Sequence, residues 1–100
     1  MTMNDSDPNT PSDPLELHRR QIDRIDKTIV ALLNERIRTG LRLGALKRAQ
    51  ARPARSGARE AEVLANVRCA AVGPLAPDSA ERIFAAIIAE TVAAQEADHD

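Results

Sequence analysis

Aromatic residues are almost missing from this chain: it has one Phe and no Trp or Tyr in 100 residues. Any core must be built from Leu, Ile, Val and Ala, which suits closely packed helices and argues against a β-sandwich or barrel. Cys69 is the only cysteine, so no intrachain disulfide can form and nothing points to an oxidising compartment. There is no Gly-rich phosphate loop, no internal repeat and no alternating strand pattern. Charges are spaced through every apolar stretch, which excludes a membrane span. The opening MTMNDSDPNTPSDP has neither a positive start nor an apolar run. It does not read as a signal peptide, and the cytoplasm is the expected location.

Acid is missing from one long interval. Between Glu35 and Glu60 there is none, while Arg36, Arg38, Arg42, Lys47, Arg48, Arg52, Arg55 and Arg59 all fall there. The overall charge of −1 hides this. Asp5, Asp7 and Asp13 at one end and Glu96, Asp98 and Asp100 at the other leave nine acids against fourteen bases over residues 14–95, about +5. Such a block sets up a positive potential that attracts anions, although a solvated basic face would look the same.

What the chain does have is helical pattern. Residues 1–13 are polar, rich in Asp, Ser, Asn and Pro, and are expected to be a disordered tail. Asp13 then suits an N-cap, Pro14 the first helical position, and Glu16 the capping-box partner. Leu15, Ile22, Ile25, Ile29, Leu33, Gly40 and Leu43 recur at the spacing of one buried stripe on a helix from about Leu15 to Lys47. Gly40 and Gly44 weaken that helix, each by up to about 1 kcal/mol relative to Ala, and permit close approach of another backbone. Pro53 closes the segment, and residues 50–57 read as a loop. A second helix begins near Ser56 or Gly57, with Glu60, Leu64, Val67 and Ala71 on its stripe. Gly73 suits a left-handed cap and Pro74 a stop. A third starts at Pro77-Asp78 and carries Ile83, Phe84, Ile87, Ile88, Thr91 and Gln95 on one side. Residues 97–100 are expected to be a disordered tail.

The fold class is therefore all-α, one long helix and two shorter ones over residues 14–96. Thirty residues of helix span about 45–50 Å, longer than a compact domain of this size is wide. A second copy of the chain is the simplest neighbour for it, so an intertwined helical homodimer is expected.

Five polar residues interrupt apolar faces: Arg36, Lys47, Glu60, Thr91 and Gln95. Lys47 lies only about 20° around the helix from Arg36, three turns on. Arg19 sits about 60° off the stripe. Each has an ordinary explanation. Arg36 could pair with Glu35 or a partner's acid, Lys47 and Glu60 complement helix dipoles, Thr91 could bond its own backbone, and Gln95 could face solvent. Converging on one pocket, they would instead describe a site for a small dianion carrying a hydroxyl. Arg19 and Arg36 are 17 residues apart, about 25 Å along one helix, so both can reach one small molecule only if a partner chain supplies one of them.

Ordered matches now carry a resemblance. They are Leu17-His18-Arg19-Arg20-Gln21-Ile22-Asp23-Arg24-Ile25-Asp26, Leu32-Leu33-Asn34-Glu35-Arg36, Leu43-Gly44-Ala45-Leu46-Lys47, Ala58-Arg59-Glu60-Ala61-Glu62-Val63-Leu64, and Ile83 to Thr91 leading to Gln95. Over about residues 15–95 the chain resembles the all-helical chorismate mutases (the AroQ class) in their short, free-standing dimeric form. The resemblance implies an isomerase of the shikimate pathway and aromatic amino-acid biosynthesis that rearranges chorismate to prephenate with no cofactor or metal. It implies that Arg36 and the partner's Arg19 bind the two carboxylates. Lys47 and Gln95 would donate to the enol-ether oxygen, and Glu60 would accept from the ring hydroxyl with Arg59 nearby. Thr91 would stand where the family usually has Ser, and Ser56 where many members have Asp beside the hydroxyl. A Claisen rearrangement needs restraint of one conformer and stabilisation of charge on the breaking C–O bond. A nucleophile or metal is not required.

Relatives with the same pocket would be an isochorismate pyruvate lyase, which tends to lack a carboxylate at the position of Glu60, or a mutase of the 4-amino-4-deoxy analogue, whose ammonium an acid would also suit. A reading from another class is a non-enzymatic dimer whose basic segment 36–59 binds nucleic acid. It is disfavoured because there are no aromatics for stacking and no groove-reading motif. The resemblance also leaves room for a partner enzyme that boosts a weak activity.

Overall fold

The structure, a computed structural model, describes residues 13–99 and consists there of three helices: α1 (Pro14–Ala49), α2 (Gly57–Ala70) and α3 (Pro77–His99). Apart from Asp13, the expected N-terminal tail lies outside the described residues. No described helix is long and apolar enough to cross a membrane. The chain divides into two compact units, Met1–Asn34 and Glu35–Asp100.

In the first unit, α1 starts as the sequence predicts. The Asp13 carboxylate accepts from the Leu15 N–H at 3.0 Å, satisfying one donor of the opening turn. Glu16 lies 3.6 Å from Arg20. The apolar stripe differs from expectation in one respect: among the described residues, its N-terminal part from Leu15 to Ile29 stays exposed. Leu15, Ile22 and Ile25 remain 57%, 56% and 57% exposed.

In the second unit, α2 and α3 pack against each other. Ala80 and Ile88 are buried there, with Val63, Leu64, Val67, Phe84 and Ile87 half-buried. Arg68 at the end of α2 joins Asp78 at 2.6 Å and Glu81 at 3.2 Å near the start of α3. The Arg68 guanidinium holds the Asp78 carboxyl below its usual range. Two expectations are corrected. The end of α2 does not use a left-handed Gly73: Ala71, at φ −82° and ψ 82°, donates to Val67 O and Arg68 O, and Val72 N–H bonds Ala70 O. Those bonds take up the Val67, Arg68 and Ala70 carbonyls without a left-handed glycine. The helix α3 also continues through His99 rather than yielding to a tail at 97. Ala93, Ala94 and Ala97 favour the helix, and Asp98 lies 3.6 Å from Arg48 of α1.

The end of α1 is closed by its own backbone. Arg52 N–H donates to Lys47 O at 2.8 Å and Ala51 N–H to Arg48 O at 3.1 Å, a Schellman turn. Its left-handed position is taken by Ala51, at φ 55°. A Cβ in that conformation costs about 1–2 kcal/mol. Ala51→Gly is therefore expected to stabilise the protein by up to about 1 kcal/mol and to raise Tm by about 4–8 °C at matched protein concentration, read by thermal circular dichroism. An unchanged or lower Tm would show that the turn is not held in this geometry.

Candidate active site

The second unit holds six of the sequence-selected residues around its helices and loop, and each owes its place to a local feature. Arg36 projects from α1 onto α3, where Nη1 donates to Thr91 Oγ1 at 3.0 Å. The Thr91 hydroxyl in turn donates to Ile87 O at 2.9 Å, so it bonds its own helix and orients a guanidinium as well. Thr91 is buried. One turn further along α3, Gln95 Nε2 donates to Gly40 O at 2.7 Å instead of facing solvent.

The two glycines of α1 make this approach possible. A Cβ on Gly40 would stand 2.6 Å from Thr91 Cγ2, and one on Gly44 would stand 3.4 Å from Gln95 Cγ. Thr is stiff about χ1, and turning it would break the bonds to Arg36 and Ile87. Gly40→Ala is therefore expected to lose about 1–3 kcal/mol to overpacking, more than the helix-propensity gain of up to about 1 kcal/mol. Adding Thr91→Ser removes the offending methyl and keeps the hydroxyl, so the double variant should regain most of the stability. A denaturant titration of the four proteins checks this, and equal losses with and without the methyl would refute it.

The remaining groups stand around the α1–α2 loop. Lys47, in the last turn of α1, donates from Nζ to Ala54 O at 3.4 Å. Ser56 caps α2, accepting from Arg59 N–H at 3.2 Å. Glu60 lies in the first turn of α2, and both its oxygens are taken by one residue: Arg55 Nε to Oε2 at 2.8 Å and Arg55 Nη2 to Oε1 at 2.7 Å. Hydrogen bonding and charge from Arg55, with a further contribution from Lys47, hold the Glu60 carboxyl below its usual range against the opposing effect of desolvation. A concavity of about 240 Å³ opens beside this pair, lined by Gly44, Arg48, Ala54, Arg55, Val92, Gln95 and Glu96.

Two sequence-selected residues stand elsewhere. Arg59 turns to Glu62 on the exposed side of α2. Arg19 is exposed on the first unit. Arg55 was missed by the sequence reading. Its signal was present, since it falls in the acid-free interval five residues before Glu60, but a loop has no periodicity to single it out. Among the described residues, no group of three or more His, Cys, Asp or Glu side chains is placed to hold a metal ion.

Chemically, the arrangement offers hydrogen-bond donors with capacity to spare. Arg36 uses one of five N–H donors on Thr91, Lys47 one of three on Ala54, and Gln95 one of two on Gly40. The Glu60 carboxylate, with about four lone-pair directions, can still accept beside the Arg55 fork. Such a site can bind carboxylates, stabilise charge developing on an oxygen, and receive a hydroxyl. Residues 18–96 match the family described as chorismate mutase type II. No curated protein matches the chain.

Proposed function

The chain belongs to the chorismate mutase type II family and is an isomerase acting on chorismate, and on that premise we propose how its own residues perform the rearrangement to prephenate. The proposal is supported by the presence of Arg36, Lys47, Glu60, Thr91 and Gln95 in one compact unit, the cations and the amide with donors to spare. Arg36, steadied by Thr91, grips one carboxylate of the substrate through its planar fork. Arg19 of a second copy grips the other, which fixes the diaxial conformer in which the reacting carbons meet. Lys47 and Gln95 donate to the ether oxygen as the C–O bond breaks and negative charge grows there. Glu60 accepts from the ring hydroxyl, with the Ser56 cap at the head of the same helix.

A homodimer is part of the proposal. Leu15, Ile22, Ile25 and Ile29 leave an apolar stripe open to solvent along one side of a helix, and a second copy of that helix is its natural cover. A direct test offers chorismate, isochorismate and 4-amino-4-deoxychorismate side by side to the purified chain, with products identified. The expected result is prephenate from chorismate without added metal or cofactor. No turnover of chorismate would overturn the reading.

A further inference from the structure

We propose that Arg55 is a specificity-determining residue that makes the Glu60 corner of the pocket accept a neutral hydroxyl and reject an ammonium group at the same ring position. The inference rests on the placement of Glu60 at the ring hydroxyl, and it adds a role that placement alone does not supply. A bare carboxylate would welcome both groups, because a hydroxyl donates to it and a cation pairs with it. Here the carboxylate is not bare. The Arg55 fork occupies both oxygens at 2.7 and 2.8 Å. Lys47 adds a second positive charge from α1, and the Glu96 carboxylate of α3, which lines the same concavity as Arg55, acts favourably on the Arg55 charge. Two cations thus act on Glu60, the acid placed at the ring hydroxyl, while Glu96 offsets part of the Arg55 charge.

The loop that carries Arg55 is itself fixed. Its first turn is closed by the Arg52-to-Lys47 and Ala51-to-Arg48 backbone bonds, Lys47 Nζ reaches Ala54 O, and Ser56 is committed to capping α2. Arg55 is therefore presented to Glu60 from a defined position. A hydroxyl can still reach a free lone pair of the carboxylate, since its approach brings no net charge. A primary amine, protonated near neutral pH, would bring a third cation into the same corner. It would also meet an acid whose charge is already matched.

The test compares kcat/KM for chorismate with kcat/KM for 4-amino-4-deoxychorismate at pH 7 and low salt. Their ratio cancels any loss of folded protein. The wild-type chain should favour chorismate. Arg55→Gln should lower the ratio by about three- to tenfold, the size of one charge–charge interaction in a partly exposed site. Arg55→Lys, which keeps the charge without the fork, should restore most of it. Added salt should shrink the difference between wild type and Arg55→Gln. A ratio that Arg55→Gln leaves unchanged or raises, or one that Arg55→Lys lowers equally, would overturn the proposal. Glu60→Ala, which removes the acceptor, separates this failure from failure of the underlying placement. If chorismate turnover falls in Glu60→Ala while Arg55→Gln leaves the ratio alone, Glu60 is placed correctly and Arg55 does not select. If Glu60→Ala leaves chorismate turnover intact, the placement itself is refuted, and this proposal with it.

Discussion

Lys47→Ala is expected to lower kcat for chorismate by about 10²–10³-fold with a smaller change in KM, because its ammonium is aimed at charge that exists only in the transition state. The position of Lys47 supports such a role. It stands in the last turn of α1, where the negative end of the helix favours a cation. Its single long bond to Ala54 O leaves two donors uncommitted. Its charge also acts on the Glu60 carboxylate. Removing the side chain also releases a tether on the α1–α2 loop. Lys47→Met, which keeps the aliphatic stem and loses the charge, separates the two effects: a catalytic role predicts that Met is as damaging as Ala. Steady-state kinetics with prephenate quantified decide the matter, and a rise in KM alone would assign Lys47 to ground-state binding.

Most of the fold was legible because helices announce themselves locally. Asp13, Pro14, Ser56 and Pro77 mark the starts of their helices, and the three-and-four spacing of Leu and Ile marks the faces. The ends were less legible. A left-handed Ala51 violates the preference that makes glycine the usual signal, and Gly73, which carries that signal, does not need to use it. At the site, the residues that interrupt apolar stripes were visible for that reason, since polar groups on buried faces must be partnered. Their partners were not visible. Thr91 read as a residue that bonds its own helix, and it does, but its second bond to Arg36 depends on the close approach that Gly40 permits. Arg55 lay in a loop with no period, where only the fold could show that its fork meets Glu60.

In the proposed enzyme each pocket takes Arg36 from one chain and Arg19 from another. Either arginine alone should be indispensable. Truncating a charge-assisted contact to a bound carboxylate costs about 2–5 kcal/mol. At about 1.4 kcal/mol per decade this is a loss of some thirty- to several-thousand-fold. Arg19→Ala and Arg36→Ala should therefore each be nearly inactive. Their failures differ in kind, because in a two-fold dimer each substitution spoils one half of both pockets. After subunit exchange, a mixed dimer holds one pocket that lacks both arginines and one that has both. With random exchange of equal amounts, half the dimers are mixed and half their pockets intact, so activity should return to about a quarter of the wild-type value. The measurement is prephenate formation by the two inactive variants mixed at equal concentration, with mass spectrometry of size-tagged chains showing that exchange has occurred. Recovery to about a quarter is the result expected of shared pockets. No recovery despite demonstrated exchange would mean that Arg19 and Arg36 do not meet at one substrate across two chains, and the shared pocket would be refuted.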